Sequence, residues 1–384
     1  MLAALACASQ ALAEPGEGLQ GFAGLHYAYD DNLLRIAEGA PVFNGHKSDK
    51  YRALVYGLMY DKGIGRQDLY LMAKLTKVDF DYFRQLNYQG KDIQARWNYE
   101  IGNYLSGNLE GSYNRTLAPF TDFHTGERNL RTHKRQYLDV FWRLHPSFRL
   151  RSAIENNAFR YELSSQKVND RDERMTEAGF DYISRAENTA GLVARKIKGT
   201  YHTRRLTGDD NFEQDELKAR VHWRPSGVTQ VQVLAGYAKR KHALVGEKDS
   251  SGANGRVTVT YTPRGKMTYS AAAWREFAAL ESTVVSYSLN RGASFNARWD
   301  VTGKTNVTAR LSREKRAYNA RVATPVSTTY RDALRNASLD LTTNPTRKVA
   351  VTLSAFRQSR SGVPLLNQGS YKAKGVSLSV NAQF

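Results

Sequence analysis

The sequence predicts an all-β fold, a single antiparallel transmembrane β-barrel of about 18 strands with short periplasmic turns and longer extracellular loops. Three observations predict it. In the closing stretch from Gly375, Val376, Leu378, Val380, Ala382 and Phe384 alternate with Ser377, Ser379, Asn381 and Gln383. Side chains on a strand point to opposite faces with period two, so this stretch has one apolar and one polar face. Short turns then recur along the chain at an even interval. Finally, no stretch approaches the roughly 18 uncharged apolar residues that a membrane helix needs. A chain that spans a membrane without such helices does so as a closed barrel, because lipid offers no partner to an open sheet edge. Mean hydropathy well below zero fits this reading, since half the strand positions of a water-filled barrel face water. An edge strand of a soluble sheet would alternate in the same way. Recurrence of the pattern decides between them.

In chain order, residues 1–13 read as the end of a secretory signal peptide. Leu2-Ala3-Ala4-Leu5-Ala6 is apolar, and Ala11-Leu12-Ala13 has the small-x-small form of a cleavage site. No basic stretch precedes it, so a start further upstream is expected. Residues 14–384 form the barrel. Cys7 is the only cysteine, which leaves the mature chain without a disulfide, a thiol nucleophile or a cysteine metal site.

Short turns are expected at Asp61–Arg66, Ile101–Tyr104, His145–Phe148, Ser184–Asn188, Arg224–Gly227, Thr262–Gly265, Asp300–Lys304 and Asn344–Arg347. Arg224-Pro225-Ser226-Gly227 and Thr262-Pro263-Arg264-Gly265 supply the preset φ and the left-handed residue of a tight reversal. Successive turns lie about 40 residues apart, room for two strands of ~12 residues and one longer loop. Propeller blades share that period, but they need four short strands per repeat and a repeated aromatic signature, and neither is present.

Strands flank the turns. Ile93, Ala95, Trp97 and Tyr99 alternate with Asp92, Gln94, Arg96, Asn98 and Glu100. Leu217, Ala219, Val221 and Trp223 alternate with Glu216, Lys218, Arg220 and His222, and Val257, Val259 and Tyr261 with Arg256, Thr258 and Thr260. One strand before the first turn (about 19–29) and one after the last (about 370–384) make the count even and put both termini in the periplasm. The longer connections at Asp30–Asp49, Leu117–His133, Ser164–Asp172, Gly199–Asn211 and Arg240–Ser250 are polar and charged. Trp97, Trp223, Tyr261 and Trp299 sit beside short turns, where an aromatic girdle belongs. A barrel of this size encloses a water-filled channel.

Lys and Arg number 56 against 37 Asp and Glu, a net charge of +19. Nucleic acid is not the expected partner, since the chain is exported and has no recognition helix or zinc-finger spacing. Lumen-facing polar positions are expected at Asp92, Arg96, Glu100, Glu110, Lys218, Arg220, Arg256 and Arg310, where acids and bases nearly balance. The excess cations cluster where strands run into the longer loops. Arg135, Arg204, Lys239, Lys241 and Arg316 are expected to form a basic rim, with Lys134, Arg240, Arg313, Lys315, Arg357 and Arg360 nearby. Such a rim suits the phosphates of lipopolysaccharide on the outside, or guidance of an acidic polymer at the exit. Phe384, a terminal aromatic, is the expected assembly signal read by the barrel-assembly machinery.

No enzyme chemistry is legible. The eight histidines are scattered singly and no serine has a histidine partner by spacing, so no catalytic residue, metal or cofactor is expected. Asp30-Asp31-Asn32 offers oxygen ligands but lacks the spaced series of a calcium loop. A strand-to-loop turn capped by its own side chains is the better reading.

Tyr29-Asp30-Asp31-Asn32-Leu33-Leu34-Arg35, Gly90-Lys91-Asp92-Ile93-Gln94-Ala95-Arg96-Trp97-Asn98 and Ala273-Trp274-Arg275-Glu276 resemble EpsL, the outer-membrane β-barrel family of exosortase-associated exopolysaccharide clusters in Gram-negative bacteria. Leu34 stands where that family carries Phe. The resemblance runs from about Leu19 to Phe384 and implies an outer-membrane protein taking part in exopolysaccharide biosynthesis and export, alongside other export proteins. It would act as a hydrated conduit for polysaccharide. Two alternatives stand beside it. A general diffusion or sugar-uptake porin would show a constricting inward-folded loop, and Leu117–His133 is long enough to be one. An outer-membrane enzyme modifying polymer or lipid would show a carboxylate pair or a Ser–His pair.

Overall fold

The computed structural model of the chain describes residues 18–43, 45–121, 124, 126–203, 211–242, 249–263, 265–279, 285–320, 330–363 and 369–384. The expected signal at 1–13, with Cys7, lies outside the described residues. The first nine strands are β1 (Gly18–Asp30), β2 (Asp49–Ile64), β3 (Gln67–Phe80), β4 (Tyr88–Ile101), β5 (Leu105–Leu117), β6 (Leu130–His145), β7 (Phe148–Tyr161), β8 (Arg171–Ile183) and β9 (Thr189–Tyr201). The second nine are β10 (Phe212–Ser226), β11 (Thr229–His242), β12 (Ser250–Tyr261), β13 (Met267–Ala279), β14 (Val285–Asp300), β15 (Thr305–Ala320), β16 (Tyr330–Thr346), β17 (Val349–Ser361) and β18 (Tyr371–Gln383). The eight expected turns separate β2–β3, β4–β5 and so on to β16–β17. Gly65 and Gly102 take φ of 62° and 59° in the first two, a backbone region that glycine adopts without strain.

Each strand pairs antiparallel with its neighbours in chain order, and β1 pairs with both β2 and β18, so the sheet closes on itself. The closing seam runs from Phe22↔Gln383 to Asp30↔Gly375. Gly21 and Phe384 extend it by exchanging two backbone hydrogen bonds of 2.8 and 2.9 Å. The Phe384 ring lies over Gly21, where a Cβ would come within 2.5 Å of it. The terminal aromatic thus stays 70% exposed and seals the seam.

Period-two alternation sorts the faces. Leu25, Leu54, Leu58, Leu109, Leu217, Leu311, Leu339 and Leu353 are exposed on the outside, while His26, Asp92, Asp139, Glu177 and Glu216 are buried on the inside. Trp97, Trp142, Trp223, Tyr261 and Trp299 are exposed at the short-turn end and form one girdle.

The apolar core is small and lies inside the barrel, at the long-loop end. Leu33, Leu34 and Ile36 of the β1–β2 connection, Phe83 and Leu86 of the β3–β4 connection and Phe120 of the β5–β6 connection pack on Ala28, Tyr51, Ala53, Val78, Tyr88 and Leu117 of the inner wall. Each such buried Leu or Phe contributes about 1.5–3 kcal/mol. The segment after β1 is built for this inward fold. Asp30 accepts two bonds from Arg35 Nη1, at 3.0 and 2.9 Å, and one from the Asn32 N–H at 3.0 Å. Asn32 accepts from the Ile36 N–H at 2.8 Å and donates to the carbonyls of Ile36 and Lys372 at 2.9 and 3.0 Å. Asp30-Asp31-Asn32 is therefore the expected capped turn, with the Asp30 carboxylate engaged by a guanidinium. Arg35→Met would leave Asp30, 1% exposed, as an uncompensated charge. A loss of about 3–5 kcal/mol is expected, read as a lower thermal unfolding midpoint in detergent; an unchanged midpoint would show the pair to be dispensable.

Candidate functional site

The candidate site is the inner wall of the barrel. From β3 to β10 it carries a nearly continuous ladder of paired charges, because cross-strand neighbours on one face alternate in sign. Lys74 meets Asp92 at 2.9 Å. Arg135 bridges Glu110 at 2.5 Å and Glu155 at 3.2 Å. Arg151 meets Glu177 at 2.9 Å, and Arg195 joins Glu177 at 2.5 Å to Glu216 at 3.5 Å. Lys218 closes on Glu216 at 2.7 Å, and Arg149 on Asp181 at 2.6 Å. Buried charges need countercharges, and each of these has one.

Arg96, Arg220 and Arg240 on this wall have no carboxylate partner among the described residues. Arg96 lies 5.1 Å from the centre of the Tyr70 ring. Arg220 has a buried Nη1 without a hydrogen bond. Arg240 is held between the rings of Phe212 and Tyr287, at 3.4 and 4.8 Å, and reaches Gln214 at 3.4 Å. Nearby, Arg171 stands 4.0 Å over the Phe159 ring, which stacks on His133 at 4.3 Å. The negative faces of the rings hold Arg96, Arg171 and Arg240 in place, and Arg171 is also paired with Glu173 at 2.7 Å.

The other half of the wall is different. From β14 to β18 its inner positions are mostly amides and hydroxyls, including Asn290, Asn296, Asn336, Gln358, Ser377 and Ser379. Gln358 donates to Asn336 at 2.8 Å, and Ser379 bonds His26 at 2.7 Å.

Loops narrow the mouth. Arg360 of β17 donates through Nη1 to the Thr121 carbonyl, which ties the β5–β6 connection across the lumen. The same guanidinium holds Asp332 at 2.5 Å. His124 bonds the Leu34 carbonyl at 3.1 Å and sets its ring edge-on to Tyr371, 6.0 Å away, while Gln85 donates to Gly126 at 3.1 Å. At the rim, Arg115 and Arg128 clamp Glu162 at 3.1 and 2.9 Å. Partial burial raises the Glu162 pKa, but the bonds from the two guanidiniums outweigh it and hold the group below the usual carboxylate range.

The expected lumen positions fall as follows. Asp92, Glu110 and Lys218 belong to the ladder, and Arg96 and Arg220 are the unpartnered guanidiniums. Arg256 meets Glu276 at 2.7 Å, and Arg310 pairs with Asp340. Glu100 lies at the short-turn end of β4, where its carbonyl accepts from Gln67 at 2.8 Å. The expected rim needs correction. Arg135 is in the ladder, and Arg316 is on the inner wall of β15, 2.8 Å from Glu314; both share a face with the carboxylates that hold them. Lys239 and Lys241 are on the outer face of β11, opposite Ser251 and Glu213 respectively. Arg204 lies outside the described residues. Sequence reasoning missed the Arg360 tether and the ring-held Arg240, both embedded in basic runs whose faces could not be told apart.

Closed antiparallel sheet, apolar exterior and charged interior define the class: the chain is an outer-membrane β-barrel. No family model matches it, and no curated protein does. Among solved structures it is similar to Pseudomonas aeruginosa OpdK with vanillate, at 12% identity over 97% of this chain and 100% of that one, with a TM-score of 0.50. It is also similar to Pseudomonas aeruginosa OccK2 (OpdF) in complex with glucuronate, at 10% identity over 97% and 100% of the two chains, with a TM-score of 0.51. At such identities the likeness is one of fold.

Arg360→Gln should release the β5–β6 connection and raise single-channel conductance in planar bilayers. Conductance equal to that of the unmodified protein would mean that the tether does not set the aperture.

Proposed function

We propose that this barrel is a porin through which small acidic solutes, sugar acids among them, diffuse across the outer membrane. The observation that carries the reading is the β5–β6 connection folded inward and tied to Arg360. An inward loop is the feature that favours a pore for small molecules over a conduit for polymer. A solute crossing beside it meets two unlike walls. Arg96 and Arg220, which are not buried, offer charge to a carboxylate, and the amides and hydroxyls of β14–β18 offer many weak bonds to sugar hydroxyls. Vanillate and glucuronate, seen in the two similar structures, are both carboxylates. Transport of this kind is passive and requires no catalytic group. The long loops face outside and the termini face the periplasm, as the contrast between tight turns and long connections supports. The exposed Phe384 and the last strand are what the assembly machinery would read.

The resemblance to EpsL supports a second reading, a part in exopolysaccharide export, through the Tyr29–Arg35 segment and the hydroxyl-rich wall. Under it the inward loops swing aside for the polymer. A deletion strain that exports normal polymer would remove this reading.

Under a salt gradient the unmodified pore is expected to prefer anions, with uronic acids reducing its ion current. One lumen guanidinium about 4 Å from a passing carboxylate contributes about 1 kcal/mol in a water-like medium. Arg96→Gln or Arg220→Gln should therefore weaken the anion preference by up to about fivefold. Cation selectivity in the unmodified protein would rule the proposal out.

A further inference from the structure

The outer face of β13–β18 carries cations that no described carboxylate neutralises. Arg275, Arg291, Arg313, Lys315, Arg335 and Arg357 all occupy outward positions and, among the described residues, none is within ion-pair distance of a carboxylate. The register sets them against one another: Arg275↔Arg291, Arg291↔Lys315, Arg313↔Arg335 and Arg357↔Lys374 are direct cross-strand pairs. Like charges directly opposite each other destabilise a sheet. The described carboxylates of these strands, Glu276, Asp300, Glu314, Asp332 and Asp340, all fall on the inner face.

Elsewhere part of the belt is paired. On the outer face of β7–β10, Arg160 meets Asp172 at 2.7 Å, and Glu213 meets Lys196 at 2.8 Å and Lys198 at 2.9 Å. The bare patch on β13–β18 contrasts with these paired charges. It surrounds a groove of about 520 Å³ floored by the small side chains of Ala293, Ala337 and Ser359 and flanked by Arg313, Arg335 and Arg357. Towards the short turns, Phe295, Leu311, Leu339 and Leu353 extend from it as an exposed apolar strip.

We propose that this face is a binding site for the phosphorylated glycolipid of the outer leaflet. Guanidiniums bind phosphate bidentately, and neighbouring strands lie about 4.8 Å apart, so β14 to β17 spans about 14 Å, the reach of a disaccharide with a phosphate at each end. The apolar strip lies where its acyl chains would run. A second copy of the chain would bring the same positive patch against this one, and charge disfavours it. The assignment rests on the long loops facing outside.

Native mass spectrometry of the full barrel in detergent tests the site, with bisphosphorylated lipid A, its monophosphoryl form and phosphatidylglycerol as probes. The unmodified protein should retain bisphosphorylated lipid A best. The triple variant Arg291→Gln, Arg313→Gln, Arg335→Gln should weaken that binding by at least about tenfold in Kd, while Lys196→Gln with Lys198→Gln leaves it unchanged. Equal binding by the triple variant, or equal retention of all three lipids by the unmodified protein, overturns the proposal. So does a change of oligomeric state in the triple variant with lipid binding intact, which would make a second copy the occupant. Ion selectivity, read on the same preparations, should not move, because these cations face away from the lumen. The transport reading therefore stands or falls by a separate measurement.

Discussion

Everything in this barrel depends on the closing of β18 on β1. Hydrocarbon offers no hydrogen-bond partner, so a sheet within it can leave no backbone edge unpaired. The seam from Phe22 to Asp30 meets this requirement, and the Gly21–Phe384 exchange carries it to the last residue of the chain. Closure then dictates composition. Each strand must offer every other side chain to lipid, and most of its carboxylates are carried on the inward positions. A chain with negative mean hydropathy and 93 charged side chains, 56 basic and 37 acidic, folds in a membrane because many of those charges have an interior or a loop to go to.

That interior is a wall of compensated charge rather than an open field. Arg135 between Glu110 and Glu155, and Arg195 between Glu177 and Glu216, spread each guanidinium over two carboxylates. Compensation of this kind rigidifies the wall and leaves little free potential. What remains to act on a solute is the small remainder: guanidiniums such as Arg96 and Arg220, in a lumen narrowed by loops anchored by Arg35 and Arg360. In the proposed pore, selectivity would come from these few cations, not from the bulk of the net charge.

The barrel itself was legible in the sequence because its two determinants are local. Alternation is read within one strand, and a turn within four residues, so the eight turns and the strand count follow without tertiary information. The inward loops were only half legible. The length of the β5–β6 connection was visible, but its tether joins residues 239 apart, and Asn32 reaches Lys372 over a separation of 340. The face of a cation in a basic run was not legible either. His133-Lys134-Arg135 and Lys315-Arg316 put cations on both faces, so alternation of charge gives no answer. Only register, counted from neighbours such as Asp139 and Glu314, assigns Arg135 and Arg316 to the lumen. The Asp30–Arg35 turn was read correctly as a turn, but its buried guanidinium partner was not foreseen.

The same residue type serves two solvents in this molecule, and the difference is physical. A lumen guanidinium keeps water on its open side, where an exposed charge pair is worth only about 1 kcal/mol and exchanges readily. Contacts of that strength suit a solute that must leave as easily as it arrives. At the lipid boundary water is scarce and the dielectric falls, so an anion beside Arg313 and Arg335 is held more strongly for the same geometry. Retaining six cations there without a single outward carboxylate destabilises the isolated sheet. The arrangement is self-consistent only if the membrane supplies the counter-charge, which makes the surrounding leaflet part of what completes the fold.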